Sequence, residues 1–173
     1  NFDGVHLGHQ EVLKRMASRG GYSVVISLYP HPSVVLGRAK SLPRITTVRQ
    51  KHAEFTKLGI NALYLMHFTK ALSTTPAKEF IDRVLIKLLG ANYVILGPDT
   101  ALGRDREGNG EFILSHLKSR GIGGETLSFL EVGGSRISSR RVRDLIAAGQ
   151  VHEAHSLLGR PFELDSYVVH GDG

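Results

Sequence analysis

The stretch "NFDGVHLGHQ" (1–10) places His6 and His9 three residues apart, behind an aromatic–acid–glycine turn made by Phe2, Asp3 and Gly4. Two imidazoles so spaced suit a metal or an anion. Zinc needs further ligands, and in a chain without Cys only scattered His and acids remain to supply them. No metal site is expected. A phosphate corner fits better, because Gly8 lets a ligand approach the backbone and the N–H groups of a helix start attract anions. The plainer alternative is one capping and one solvated histidine.

A second unusual stretch, "GSRISSRRVR" (134–143), crowds Arg136, Arg140, Arg141 and Arg143 around a helix start capped by Ser138. Cations there oppose the helix dipole at roughly 0.3–1 kcal/mol each, so helix propensity does not account for them. An anion bound at the free N–H groups does. With Val142, Leu145 and Ile146 facing a core, Arg140 falls on the opposite side, which also suits a solvated face. Pro30-His31-Pro32 pins His31 in a rigid turn.

Several mechanisms are excluded by pattern. Gly103 and Gly108 have P-loop spacing, but Asn109-Gly110 stand where Lys-Ser/Thr belongs. There is no G-x-G-x-x-G and no G-x-S-x-G elbow. His52, His67, His116, His152, His155 and His170 show no convincing partner in the sequence.

The 22 Lys+Arg against 16 Asp+Glu leave +6, with a pI near 9.8, so an anionic partner is expected. With 7% aromatics and no Trp, nucleic acid is the poorer candidate and a phosphorylated small molecule the better one. No apolar run approaches the ~18 residues of a membrane span, so no membrane partner is expected. The lack of Cys fits a reducing, cytoplasmic setting.

The elements that must carry these residues alternate. Residues 9–19 read as a helix with Val12, Leu13, Met16 and Ala17 inward, and 22–28 as a buried strand. "TVRQ" (47–50) has the capping-box pattern and opens a helix ending at Gly59. Residues 62–66 form the next strand. Thr75 and Pro76 then suit an N-cap and first helical position, ahead of a core stripe of Phe80, Ile81, Val84, Leu85, Leu88 and Leu89. A strand at 93–96, a polar Gly-rich loop at 97–110, a helix near 110–120 and a strand at 125–132 follow. A Ser138-capped helix and a short one over 151–158 complete the series. This is α/β, with a Rossmann-like, mainly parallel sheet and helices on both faces. Its first strand is expected before residue 1. The unusual residues sit just after strands, where open α/β sheets bind ligands.

Taken together, the motifs resemble one family. "NFDGVHLGHQ" is similar to the H-x-G-H signature of the nucleotidylyltransferases, in the form used by bacterial bifunctional riboflavin kinase/FMN adenylyltransferases. "YPHPSVVLG", "HFTKALSTTPAKEFIDRVLIKLLGANYVILGPD", "SRISSRRVR" and "LIAAGQVHEAHSLLGRPF" resemble the same family in the same order. The resemblance implies adenylyl transfer from ATP, with Mg²⁺, to FMN by residues 1–158. Residues 159–173 would be a linker and the first strand of a riboflavin kinase β-barrel, which is the expected partner domain. It puts His6, His9, Arg136, Ser139 and Arg143 on the nucleotide phosphates. Phe2, Asp3, Gly8, Pro30, His31, Pro32, Asp99, Leu102 and Arg140 line the substrate site. Two departures stand out: Arg140 replaces the family's Thr, and Thr100 and Leu102 replace its Phe. They leave a degenerate nucleotide-binding or regulatory module, or another nucleotidylyltransferase, as alternatives.

Overall fold

A computed structural model describes residues 1–166. Helix α1 (Leu7–Ser18) starts at His6 and buries Val12 and Leu13. Strand β1 (Val24–Tyr29) follows, then a single turn, α2 (Pro32–Val35), begun by His31. Helix α3 (Val48–Lys57) carries both bonds of the Thr47–Gln50 capping box, so a purely local pattern reads correctly. Strand β2 (Ala62–His67) pairs in parallel with β1, Ser27 facing Leu65. A turn, α4 (Lys70–Ser73), precedes α5 (Ala77–Phe80).

Two expectations fail at α5. Thr75 does not cap it: the Thr75 carbonyl accepts the Arg104 N–H, and its hydroxyl turns back toward the Ala71 carbonyl. The first amide, Ala77 N, donates instead to Glu107 Oε1 at 2.8 Å. Beyond Phe80 the helix widens into a π-helical stretch (Ile81–Leu88), where Leu89 N reaches back five residues to Val84 O. The wider turn keeps Ile81 and Leu85 buried but rotates Leu88 out, to 59% exposure.

Strand β3 (Tyr93–Leu96) pairs in parallel with β4 (Gly123–Thr126), and helix α6 (Gly110–Ser119) lies between them in sequence. The expected strand over 125–132 is split. The β3–β4 register ends at Leu96 and Thr126, and the residues that follow β3 are Gly97 and Pro98, which has no N–H to extend the ladder. The chain resumes pairing as an antiparallel ribbon, β5 (Glu131–Val132) with β6 (Ser135–Arg136). Helices α7 (Ser139–Ala147) and α8 (Val151–Leu158) close the order. The architecture is thus mixed α/β, with two parallel pairs and one antiparallel ribbon among the described residues. Residues 159–166 form no strand, and the rest of the expected kinase strand, with His170, lies outside the described residues.

Three apolar clusters place the site. Met66 of β2 and Leu96 of β3 share one cluster with Phe80, Ile81, Leu85, Ile113 and Leu117. Val5 is wedged into a second, with Leu13, Val25 and Phe55. Ile45, Ile137, Val142 and Leu157 build the third. The first loop therefore hangs between the second and third clusters. Its backbone is strained, with positive φ at Phe2 (54°), Gly4 (84°) and Val5 (43°). A β-branched residue there costs on the order of 1–3 kcal/mol, which the surrounding structure must overcome.

Candidate active site

Asp3 is the knot that holds this loop. Its carboxylate accepts from Ile45 N and Thr46 N, each at 3.2 Å at the nearer oxygen, from the Thr46 hydroxyl, and from Arg143 at 2.8 Å. The Asp3 carbonyl takes the Ser139 hydroxyl, also at 2.8 Å. Gly4 N donates to Thr46 Oγ1, while Arg160 donates to the Gly4 and Val5 carbonyls. Three of the residues expected at the site, Asp3, Ser139 and Arg143, thus meet by bonding one another. Asp3 is buried and occupied by protein donors, so it positions the loop and has no free face for a ligand.

His6 follows on the knot and caps α1. Its Nδ1 accepts from His9 N at 3.3 Å, and its ring stacks on that of His9, with centroids 3.6 Å apart. Since Nδ1 accepts, the neutral ring carries its proton on Nε2. Burial pushes the His6 pKa down to about 4 and holds His9 well below the ordinary histidine range. Both rings are therefore neutral hydrogen-bonding groups at pH 7. His9 Nδ1 is the buried side-chain atom left without a hydrogen-bond partner among the described residues. Phe2 packs its ring against His9, 5.0 Å between centroids. A methyl group on Gly8 would sit 3.4 Å from the His6 ring and 3.9 Å from Leu130, so the glycine keeps that gap open.

Leu130 brings the 127–136 segment to the corner. There Arg136 lies over the Phe129 ring, 3.4 Å from its centroid, and pairs with Asp99. Arg106 in turn donates to the Asp99 carbonyl. Two expected site residues, Asp99 and Arg136, thereby tie the 97–110 loop to the ribbon. Leu102 does not line this surface. It bridges to Gly108 and packs on the first apolar cluster, because Gly103 and Gly108 close directly onto Ala77. The two glycines with P-loop spacing serve packing. Arg140 is exposed on the far side of α7 from buried Val142.

His31 caps α2 through Nδ1, which accepts from Ser33 N at 3.2 Å, with Pro30 and Pro32 half-buried around it. Burial lowers its pKa, and the charges of Arg143, Asp3 and Lys51 also act on it, which sets this turn beside the first loop. Lys51 was not legible as a site residue. Its buried ammonium donates to the Asn1 carbonyl at 2.9 Å and to Ser27 Oγ at 3.0 Å. The available signal was a lysine four residues before Phe55, on the buried face of α3. Arg160 and Gln10, which bonds the Val5 and Leu158 carbonyls, gave no such signal. His116 also has the partner that its surroundings in sequence did not suggest: Asp82, at 2.8 Å.

The corner thus holds two stacked, neutral imidazoles beside a glycine gap, with Leu130 across it and His9 Nδ1 left to bond a ligand. Residues 1–141 match the family model described as FAD synthetase. The chain belongs to the FAD synthetase family. It is 34% identical to a bifunctional riboflavin kinase/FMN adenylyltransferase of Pseudomonas fluorescens, across 99% of this chain and 56% of that protein. The proteins of the same description from Escherichia coli K12 and Bacillus subtilis 168 are each 34% identical, over 99% of this chain and 56% and 55% of theirs. The chain thus spans about half the length of the curated relatives it matches. A solved structure described as a macrolide-efflux protein from Streptococcus pneumoniae superposes with a TM-score of 0.82 at 28% identity, covering 99% of this chain and 58% of that one. Among the described residues of this family member no helix is long and apolar enough to cross a membrane.

Proposed function

We propose that this chain transfers the adenylyl group of ATP to FMN, releasing FAD and pyrophosphate. A phosphate oxygen of FMN attacks the α-phosphorus of ATP. The new P–O bond forms as the bond from that phosphorus to the bridging oxygen breaks, and the electron pair leaves on pyrophosphate. No protein nucleophile is needed. Positioning and charge stabilisation carry such a step. His9 Nδ1, a buried polar atom without a protein partner, is the observation that carries this reading, because such an atom is costly unless a ligand satisfies it. The neutral His6 and His9 rings donate to phosphate oxygens, and Arg136 follows once it leaves Asp99. Ser139 and Arg143 hold the loop through Asp3. The turn of Pro30, His31 and Pro32, with Phe2, shapes the flavin side.

Mg²⁺ enters with the nucleotide as part of the substrate. The described residues include no group of three or more His, Asp or Glu able to cage an ion, and the Asp3 carboxylate is already engaged, so substrate oxygens and water hold the cation. The two parallel strand pairs belong, in this reading, to one Rossmann-like sheet flanked by helices, since β2 and β3 contribute to a common core. The protein as a whole carries riboflavin kinase in a further domain, working in the cytoplasm on small-molecule substrates rather than nucleic acid.

The test is direct: incubate the full-length protein with FMN, ATP and Mg²⁺ and separate the flavins. FAD appearing with stoichiometric pyrophosphate is expected. ATP binding without FAD would leave a nucleotide-binding module in place of an enzyme.

A further inference from the structure

Residues 158–165 lie against the first loop and α3. Leu157 and Leu158 are buried with Ile45 and Val142, and Gly159 then turns the backbone at a φ of +70°. It does so close to α1: a Cβ there would lie 2.6 Å from Leu7 Cδ2. That turn delivers Arg160 to the first loop. Its guanidinium donates to the Gly4 carbonyl at 2.8 Å, to the Val5 carbonyl at 3.3 Å and to the Leu158 carbonyl at 3.5 Å. Its Nε faces Glu54 at 3.6 Å, and both side chains are largely buried, at 18% and 15% exposure. Farther on, Gln50 donates to the Glu163 carbonyl and Arg49 to Asp165, which fastens the segment to α3.

The two carbonyls that Arg160 takes belong to the strained part of the loop. Gly4 and Val5 both have positive φ, and no backbone N–H pairs with either carbonyl among the described residues. Side chains hold them instead: Arg160 bonds both, and Gln10 adds a second bond to Val5. The Asp3 knot secures the loop ahead of the strained pair, and Arg160 secures the pair itself. Such a backbone persists only where its surroundings over-determine it. The next residue is His6, whose ring caps α1 and stacks on His9. The orientation of the Val5–His6 peptide therefore sets where both imidazoles stand. A guanidinium fork fixes two neighbouring carbonyls at once, which the point charge of an ammonium does not.

We propose that Arg160 is a positioning residue for adenylyl transfer, holding the Gly4 and Val5 carbonyls so that His6 and His9 are aligned on the phosphates. This rests on the adenylyl-transfer reading and gives Arg160 no contact with substrate. Steady-state kinetics of FAD formation by the full-length protein, at a temperature well below the melting of every variant, test it. In Arg160→Met, kcat should fall about 100-fold while KM for ATP changes less than about threefold, because the histidines remain but lose alignment. Arg160→Lys reaches one carbonyl and should restore kcat to within about tenfold of wild type. Glu54→Gln removes the carboxylate beside Arg160 but neither carbonyl contact, so it should lower Tm and keep kcat within about twofold. Wild-type kcat in folded Arg160→Met would overturn the proposal while sparing the adenylyl-transfer reading. A kcat loss in Glu54→Gln as large as that in Arg160→Met would overturn it too, since general loosening would then explain both. If Arg160→Met does not fold, Arg160→Lys decides alone, and an unchanged kcat there overturns the proposal. A wild-type protein that binds ATP yet forms no FAD would remove both readings.

Discussion

The Arg143 guanidinium stands 2.8 Å from the Asp3 carboxylate, across 140 positions of sequence. Both side chains are largely buried, at 16% and 9% exposure, and the pair joins the strained first loop to the start of α7. Removing one partner strands the other charge. Asp3→Ala should therefore cost about 3 kcal/mol in urea unfolding. Combining Asp3→Asn with Arg143→Met should cost less than the sum of the single changes. Additive losses would mean that the two side chains act independently.

The histidine corner predicts how stability follows pH. An unfolded histidine titrates near its ordinary 6.5, while folded His6 titrates at about 4. Between those values the unfolded chain binds a proton that the folded chain refuses. Stability is then fully present above about 6.5 and is lost as the pH falls toward 4, by on the order of 3 kcal/mol from His6. His9, lowered in the same direction, adds to the slope. Urea midpoints at about pH 7.5 and about pH 5 read this directly. His6→Asn keeps a capping side chain and should flatten the slope. Equal wild-type midpoints at the two pH values would contradict the burial of neutral rings.

Arg136 and Asp99 separate stability from activity. Both are well exposed, at 43% and 62%, so Arg136→Ala should shift unfolding by less than about 1 kcal/mol. If the guanidinium moves to a phosphate during transfer, the same change should lower FAD formation on the order of 10²-fold. A matching small change in both measurements would reduce Arg136 to a loop tether.

Gly103 is a packing residue. A Cβ there would lie 2.3 Å from Ala77 N, and its φ of +76° is already unfavourable for other residues. Gly103→Ala should cost more than about 2 kcal/mol and loosen the 97–110 loop. Hydrogen exchange at Leu102 and Gly108, whose amides bond across that loop, checks the second part.

How much of this was legible depended on range. The Thr47–Gln50 box, the Ser138 cap and the β1, β2 and β3 runs are written within a few residues, and each forms as written. Thr75 shows the limit. It has the right neighbours for a cap, but the amide it would have served is closer to Glu107, thirty positions away. Leu102 shows the same limit. The family resemblance put it on the substrate side of the loop, while the close seating of Gly103 and Gly108 on Ala77 packs it against the first apolar cluster.

The sequence by itself determined the alternation of helix and strand, the pairing of His6 with His9 around a glycine, and the crowding of arginines at one helix start. These are spacing rules, set by the period of a helix and by which residues can cap it. Only the tertiary structure decided which charges are spent and which remain. Asp3 could meet Arg143, Lys51 could reach Ser27, and Arg160 could hold Gly4 only after three apolar clusters brought their segments together. Burial of those clusters, rather than any local preference, is what makes the histidines neutral and seats Arg160 on the first loop.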